Sequence, residues 1–342
     1  MLGLGSAGRR HASDLVAMGH EVCAFDPRAL SPAAGRTIDA GADVEASGTG
    51  DAGAQVEVDG AVELARSFQQ AIEGAAAVVV ASPSALHAGQ AAAALEAGCH
   101  VLVEKPLATN LEDARRVVAL GQRTGVTGAV GMNLRFHSAV VALRRLVEGG
   151  TLGELYYAQA SYGQDLRRWR PGTDYRDSYS ARSELGGGIV LDAIHELDYL
   201  LWLLGPVATV AAEADHLSAL EVDVEDIAVV VARFAAGALA TIDLNFLEPG
   251  FRRRCLLVGS EAVAECDLAT GALVLRRSDG ESEEIDARCD PRDTYRAELV
   301  DFIDAIERRR EPRCPLADGA AGVAFAEAIK ESALGGLRVV LT

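Results

Sequence analysis

The segment Glu104-Lys105-Pro106 carries the side chain best suited to chemistry on an alcohol or carbonyl oxygen. Of the 32 basic residues only two are lysines, Lys105 and Lys330, and the rest are arginines. Because a lysine changes its protonation state more readily than an arginine, a lysine in this background indicates a position that needs an ammonium group. An exposed ion pair in a surface loop is the alternative interpretation.

A second polar set lies within an apolar stretch predicted to form one helix over 189–204. Asp192, His195 and Tyr199 are spaced i, i+3 and i+7, so on a continuous helix they share one face. Polar groups on such a buried helix must be paired or functional. A core histidine bonded to Asp192 is the structural alternative. A metal site is not predicted, since no second His or Cys follows at ligand spacing.

Glycines near the start of the chain match the spacing GxGxxG in Gly3-Leu4-Gly5-Ser6-Ala7-Gly8. They open a predicted helix, and Asp26 ends the following strand, where a carboxylate binds an adenosine ribose. The pattern predicts a dinucleotide site, with an ordinary turn as the alternative. Asp26 favours NAD over NADP because it repels a further phosphate, while Arg28 leaves NADP possible.

The elements that position these residues alternate in type over the first part of the chain. We predict strands at 20–25, 77–81, 100–103 and 126–131, and helices at 9–18, 61–73, 86–97 and 111–123. This alternation predicts a doubly wound parallel sheet, with a loop-rich stretch at 31–60. Only Met1 and Leu2 precede Gly3, so we expect an upstream segment to complete the first strand.

From residue 133 the pattern changes to strands of period two. We predict strands at 155–162, 208–214, 227–234, 238–246 and 254–258, and helices at 138–149, 189–204, 293–309 and 318–335. The chain is therefore predicted as α/β, with a Rossmann domain over 1–132. A C-terminal α/β domain with a largely antiparallel open sheet covers 133–342.

Composition excludes several classes of protein. The net charge of −18 argues against nucleic-acid binding, and no apolar run is long enough to span a membrane. Six cysteines are scattered without a CxxC pair, which argues against a zinc cluster or a disulfide framework. With no signal peptide before the first motif, a cytoplasmic location is expected.

An arginine-rich segment at 165–184 precedes Gly186-Gly187-Gly188. Its arginines are Arg167, Arg168, Arg170, Arg176 and Arg182. Arginine binds anions through two parallel hydrogen bonds, so the segment favours a substrate with an anionic group, with Arg170 and Tyr175 as contacts. A solvated loop of ion pairs is the alternative. The runs 252–254 and 308–310 are interpreted as solvated ends of elements.

These features together resemble the Gfo/Idh/MocA oxidoreductases over essentially the whole chain. The resemblance rests on the opening GLGSAGRRH, on Ala81-Ser82-Pro83-Ser84-Ala85-Leu86-His87, on Val103-Glu104-Lys105-Pro106-Leu107 and on the helix after the glycine triplet. It implies NAD or NADP as cofactor and a sugar, sugar nucleotide or cyclitol as substrate. It also implies a homodimer or homotetramer built on the C-terminal sheet.

The resemblance assigns roles to single residues. Lys105 is the expected catalytic lysine, and Asp192 and His195 are the expected acid–base pair, although many members have one residue more between them. The expected cofactor contacts are Gly3, Gly5, Ser6, Ala7, Asp26, Arg28, Ser82, Pro83, His87, Glu104 and Lys105. The expected substrate contacts are Asn133, Arg170, Tyr175 and Tyr199.

The predicted reaction moves a hydride between nicotinamide and a carbinol carbon. His195 takes the proton of the substrate hydroxyl, and Asp192 orients the His195 imidazole. Lys105 stabilises negative charge on the substrate oxygen. Two other classes remain open. One is a glycoside hydrolase that oxidises its substrate transiently with tightly held NAD. The other is a regulator that binds a dinucleotide without catalysis.

Overall fold

The structure, a computed structural model, describes residues 1–30, 62–170 and 172–341. Its internal contacts divide the chain into two compact units. The N-terminal unit comprises Met1–Gly131, Trp169–Tyr175 and Tyr295–Ala320, and the C-terminal unit comprises Met132–Arg168, Arg176–Thr294 and Ala321–Thr342. The predicted loop-rich stretch 31–60 lies outside the described residues.

A parallel sheet organises the N-terminal unit. Its strands are β1 (Val22–Ala24), β2 (Val62–Leu64), β3 (Ala77–Val80), β4 (His100–Glu104) and β5 (Gly128–Gly131). β1 pairs with β2, and β4 lies between β3 and β5, all in parallel. Leu2 makes parallel bridges to both Phe25 and Val80, so it occupies the position between β1 and β3. This is the strand order of a doubly wound sheet.

The helices of this unit follow the strands at short intervals. They are α1 (Ser6–Ala17), α2 (Phe68–Ile72), α3 (His87–Glu96) and α4 (Leu111–Thr124). The boundaries of α4 are set by local chemistry, because Asn110 caps its first turn through the Asp113 backbone N–H at 2.9 Å and left-handed Gly125 ends it. The predicted helix over 61–73 is wrong in its first part, where β2 forms instead.

Nine of the described strands form one open sheet in the C-terminal unit. They are β6 (Leu155–Gly163), β7 (Val207–Asp215), β8 (Ile227–Phe234), β9 (Leu239–Asn245), β10 (Arg252–Gly259), β11 (Ala262–Asp267), β12 (Ala272–Arg277), β13 (Ser282–Asp286) and β14 (Val339–Val340). Their order is β13-β12-β11-β10-β6-β9-β8-β7-β14. Only β6 and β9 pair in parallel among these strands. The predicted fold class, a parallel Rossmann sheet followed by a largely antiparallel one, is confirmed.

The remaining helices are α5 (Ser138–Glu148), α6 (Ile189–Asp192), α7 (Ile194–Leu204), α8 (Pro291–Arg308) and α9 (Leu316–Gly335). The single helix predicted over 189–204 is wrong. It breaks at Ala193, whose φ of −91° and ψ of 28° leave the helical region. Asp192 therefore ends α6, whereas His195 lies in the first turn of α7.

No helix within residues 1–30, 62–170 and 172–341 has the combination of length and apolar character that a membrane span requires.

Candidate active site

The glycine-rich turn after Leu2 is shaped by close backbone contacts. Gly3 has a φ of 86°, and a Cβ there would lie 2.5 Å from the Ala81 carbonyl oxygen. A Cβ on Gly8 would lie 2.1 Å from the Gly3 carbonyl oxygen, whereas one on Gly5 would meet no atom of the described residues closer than 3.9 Å. The first and third glycines thus serve packing, and the second leaves open space beside the backbone.

The N-terminus of α1 faces that open space. Among the described residues, no side chain caps the helix at Gly5. Backbone N–H groups in the first turn of a helix, here those of Ser6 and Ala7, bind phosphate oxygens well because the helix dipole favours negative charge there. The turn therefore fits a dinucleotide pyrophosphate.

Asp26, two residues after β1, is buried and held by three groups. One carboxylate oxygen accepts the Leu4 backbone N–H at 2.8 Å, and the other accepts the Arg28 backbone N–H at 2.9 Å. The Arg28 guanidinium also binds the carboxylate, at 2.9 Å. Burial raises the pKa of Asp26, but these hydrogen bonds outweigh burial and hold that pKa below its usual range. An ionised carboxylate at this position suits ribose hydroxyls.

Glu104, at the end of β4, is buried beside Lys105 and bound to a histidine from α1. His11 Nε2 lies 2.8 Å from Glu104 Oε1, and the other carboxylate oxygen lies 3.3 Å from the Lys105 backbone nitrogen. Burial raises the pKa of Glu104, yet the bond to His11 and the charges of His11 and Lys105 hold it below its usual range. An anionic carboxylate therefore lies next to the expected catalytic lysine.

Glu298 of α8 adds a second buried carboxylate to this group. His11, Glu104 and Glu298 each offer a ligand atom within 4.8 Å of the other two. His11 and Glu104 are already hydrogen-bonded to each other. A shared proton therefore accounts for the short distance between them as well as a bound metal cation would. The expectation that the site needs no metal stays a prediction.

His87 begins α3 and lies between two turns at the carboxyl edge of the sheet. Its Nδ1 lies 2.7 Å from the Pro106 carbonyl oxygen and its Nε2 lies 2.8 Å from the Ser82 carbonyl oxygen. The residue is 1% exposed. The predicted contact of His87 with the cofactor is untested, and both ring nitrogens are committed to the protein backbone.

In the C-terminal unit, Asp192 and His195 lie on either side of the break at Ala193. Both are buried, with 7% and 8% exposure. The glycine triplet that precedes them is required by its contacts, since a Cβ on Gly187 would lie 2.4 Å from the Tyr179 carbonyl oxygen. The predicted acid–base roles of the two residues are carried forward as a proposal.

Tyr199 occupies the core of the C-terminal unit. It has no exposed surface, and burial raises its pKa well above the usual value, with Cys255 and Glu196 acting in the same direction. Asn133 is also buried, and its amide donates to Thr294 Oγ1 at 2.8 Å. Their substrate contacts stay predictions.

The sequence analysis missed an ion pair close to the Asp192 region. Glu196 has no exposed surface and pairs with Arg253 of β10 at 2.9 Å. Arg253 also lies over the ring of Tyr162, 4.6 Å from its centroid. The interpretation of 252–254 as solvated is therefore wrong for Arg253. An acid within the apolar run 194–204 was the available signal, because a buried carboxylate requires a partner.

Most arginines of the 165–184 segment have structural partners. Arg167 and Arg168 pair with Asp165, at 2.8 and 3.9 Å, and Arg176 pairs with Glu221 at 2.8 Å. Arg182 donates to the Arg176 carbonyl oxygen at 2.8 Å. The ion pairs of Arg167, Arg168 and Arg176 support the salt-bridged-loop alternative. Arg170 and Tyr175 belong to the stretch Trp169–Tyr175, which is part of the N-terminal unit. Pro171 lies outside the described residues.

Family models match both parts of the chain. Residues 1–132 match the oxidoreductase family with an NAD-binding Rossmann fold, and residues 140–265 match the GFO/IDH/MocA C-terminal domain. The protein is thus an NAD-binding oxidoreductase, and the chain belongs to the GFO/IDH/MocA family, as predicted. The boundary at residue 132 stays a prediction.

Two proteins are similar to this chain in sequence, and a third is similar in fold. The chain is 31% identical to a 1,5-anhydro-D-fructose reductase of Ensifer adhaerens, over 76% of this chain and 78% of the relative. It is 34% identical to inositol 2-dehydrogenase 2 of Paenarthrobacter aurescens, over 69% and 70%. In fold it is similar to the WlbA dehydrogenase of Bordetella pertussis, solved with NADH and UDP-GlcNAcA. That match has a TM-score of 0.78 and 24% identity, covering 100% of this chain and 97% of the other.

Proposed function

We propose that the protein oxidises a hydroxyl group, or reduces the corresponding ketone, of a sugar, sugar nucleotide or cyclitol. The observation that carries the proposal is the placement of the glycine turn, Asp26 and Lys105 at the carboxyl ends of parallel strands in one unit. Ligands of doubly wound sheets bind at that edge. The substrates named for the anhydrofructose and inositol relatives support the substrate class.

In the N-terminal unit, the proposed roles follow from the groups each residue presents. The backbone at Gly5, Ser6 and Ala7 holds the pyrophosphate, and the Asp26 carboxylate binds the adenosine ribose. When bound, NAD supplies the carbon that accepts a hydride from the carbinol carbon. Lys105 donates a hydrogen bond to the reacting oxygen and stabilises its negative charge.

The C-terminal unit contributes the proton acceptor. His195 takes the proton of the substrate hydroxyl during oxidation and returns it during reduction. Asp192 orients the imidazole or binds a neighbouring hydroxyl. These assignments carry the expectations for Asp192 and His195 forward as part of the proposal.

The test is a search for net oxidation over a panel of sugars, cyclitols and nucleotide sugars with free NAD. We expect the absorbance of NADH to rise with at least one of them. Lys105→Ala and His195→Ala are each expected to lose most turnover while still binding NAD, and near-normal turnover in both would refute the roles. A hydrolase would instead release a sugar with no NADH, and a regulator would bind the dinucleotide and do neither.

We further propose that Arg170 and Tyr175 contact an anionic group of the substrate. Arg170 lies in the stretch Trp169–Tyr175, which belongs to the same N-terminal unit as the expected dinucleotide site. Arg170→Ala should raise KM for an anionic sugar far more than KM for its neutral analogue. Arg176→Ala is the matched control. Equal shifts of the two KM values for Arg170→Ala would show that the loop is solvated and does not bind the anionic group.

We also propose a homodimer or homotetramer built on the outer face of the C-terminal sheet. Val229 and Val231 of β8 are 51% and 44% exposed, and Leu239 of the neighbouring β9 is 37% exposed. An apolar sheet face of this kind is expected to be covered. Light scattering at micromolar concentration should show two or four chains, with Val231→Glu shifting the mass downward. A monomeric wild-type protein would refute this proposal.

A cytoplasmic location is the last part of the proposal. All six cysteines are free thiols. Free thiols persist in reducing compartments and tend to pair in oxidising ones. Fractionation of the producing cells should recover the activity with the cytoplasmic fraction, and recovery from the medium would contradict this.

A further inference from the structure

The two hydrogen bonds of the His87 ring set an unusual requirement on its protons. Both of its partners, the Ser82 and Pro106 carbonyl oxygens, are acceptors only. A neutral imidazole has one N–H and can donate to only one of them, leaving a nitrogen lone pair facing the other oxygen. Both contacts, at 2.7 and 2.8 Å, are hydrogen bonds at the same time only when both ring nitrogens carry a proton.

His137 shows the opposite arrangement and serves as an internal comparison. Its Nδ1 accepts the Ala139 backbone N–H at 3.2 Å, and the ring also bonds the Leu268 backbone. One nitrogen that accepts and one that donates describe a neutral imidazole. The two buried histidines therefore differ in protonation. The hydrogen bonds of His87 require a proton on both ring nitrogens, whereas those of His137 require a proton on only one.

The surroundings of His87 contain an opposing charge. Burial is the largest effect and, together with Lys105, holds the pKa of His87 below its usual range. The two carbonyl oxygens and the Glu104 carboxylate oppose that effect, and Glu104 is itself held in its ionised form by His11. A ring that becomes positive in acid is thus stabilised by two carbonyl oxygens and by the charge of the buried Glu104 carboxylate.

The turns that His87 joins are those expected to hold the cofactor and the reacting oxygen. Ser82 follows β3, and its backbone nitrogen lies close enough to the Gly3 turn to exclude a Cβ there. Pro106 directly follows Lys105, after β4. Since β3 and β4 are neighbouring parallel strands, one ring spans both turns at the carboxyl edge of the sheet.

We propose that His87 is a positioning residue that, as an imidazolium, clamps the Ser82 turn to the Lys105-Pro106 turn. Loss of the second proton on rising pH releases one of the two carbonyl groups. Dinucleotide binding then weakens because the two turns are no longer held at one separation. The effect on binding rests on the proposed dinucleotide site, whereas the protonation of His87 does not.

The first test is nitrogen NMR of the wild-type protein with ¹⁵N-labelled histidine, without cofactor, from pH 5 to pH 8. His87→Gln identifies the His87 signals by their absence. We expect two protonated-type ring nitrogens for His87 at the acidic end and one protonated nitrogen for His137 at neutral pH. A His87 ring with only one protonated nitrogen at pH 5, in a folded protein, would overturn the proposal.

The second test is the affinity for NADH over the same pH range. The dissociation constant of the wild-type protein should rise roughly fivefold as the second proton of His87 is lost, which corresponds to one hydrogen bond. Gln donates without titrating, so His87→Gln should remove this pH step. An unchanged step would show that His87 is only structural. If NADH does not bind at all, the proposed function fails while the NMR result still decides the protonation.

Discussion

Glu104 and His11, 93 positions apart in the sequence, are joined by a buried hydrogen bond of 2.8 Å. The bond links the first helix of the N-terminal unit to the strand that leads into Lys105. It also holds the pKa of Glu104 below its usual range despite burial, so the carboxylate stays charged next to the lysine. A buried carboxylate depends on such a partner.

Replacing His11 should therefore destabilise the protein. His11→Leu leaves the buried Glu104 carboxylate without its partner, and we expect the free energy of unfolding to fall by about 2–3 kcal/mol. Urea denaturation measures this loss. In the double variant with Glu104→Gln the loss should be smaller than the sum of the two single losses. Additive losses would show that the two side chains do not depend on each other.

The glycine turn predicts different outcomes for two similar substitutions. Gly8→Ala places a Cβ 2.1 Å from the Gly3 carbonyl oxygen and should destabilise the fold by about 1–3 kcal/mol. In Gly5→Ala the nearest atom among the described residues lies 3.9 Å away, so stability should stay near that of the wild type. It should nevertheless weaken NADH binding, because its methyl group occupies the space expected for the pyrophosphate.

Thermal unfolding and NADH titration of both variants separate these effects. Equal losses of stability in Gly5→Ala and Gly8→Ala would contradict the close packing at Gly8. Unchanged NADH affinity in Gly5→Ala would contradict the placement of the pyrophosphate.

Asp26 should control the choice between NAD and NADP. Its carboxylate binds the Arg28 guanidinium, whose side chain is 73% exposed. Asp26→Ser removes the negative charge and releases Arg28 for the 2′-phosphate, so the preference for NAD should fall by about tenfold or more. The ratio of the dissociation constants for NADH and NADPH measures this preference. In Asp26→Ser with Arg28→Ala, affinity for NADPH should not rise. A rise as large as in the single variant would exclude Arg28 as the phosphate ligand.

The pKa of His137 predicts a loss of stability in acid. Burial, together with the charge of Arg253, lowers that pKa to about 4. The folded protein thus favours the neutral His137 ring. The resulting contribution to the free energy of unfolding is complete above the ordinary pKa of about 6.5 and is lost as the pH falls toward 4. The loss amounts to about 3 kcal/mol. Urea denaturation measures how far the free energy of unfolding falls between pH 7 and pH 4. This fall should be smaller for His137→Gln than for the wild type, and an equal fall would contradict the lowered pKa of His137.

Local pattern was enough to predict much of the fold. β8 alternates buried and exposed residues from Ala228 to Phe234, and it was predicted from that alternation. The alternation of strands and helices predicted the Rossmann sheet, and the glycine turn with its spacing to Asp26 predicted the dinucleotide site. The short strands β11, β12 and β13 were missed because their pairing depends on neighbours and their charged residues weaken the apolar signal.

The candidate site was less accessible to sequence reasoning because its contacts join distant residues. Nothing in the spacing of Asp192 and His195 reveals the break at Ala193, since alanine is itself a strong helix former. The partner of Glu196 lies on β10, and that of Glu104 lies on α1. Such pairs become visible only when the strands are assembled.

The role proposed for Lys105 is to serve the oxidation of a hydroxyl group by NAD. The most direct measurement compares NADH formation by the wild type, Lys105→Arg and Lys330→Arg with the best substrate of the panel. The two variants change the only two lysines in the same way, and Lys330 pairs with Glu225, a contact that arginine can keep. We expect Lys105→Arg to lose about a hundredfold in kcat and Lys330→Arg to stay within about twofold of the wild type. Equal turnover by Lys105→Arg and the wild type would contradict the account.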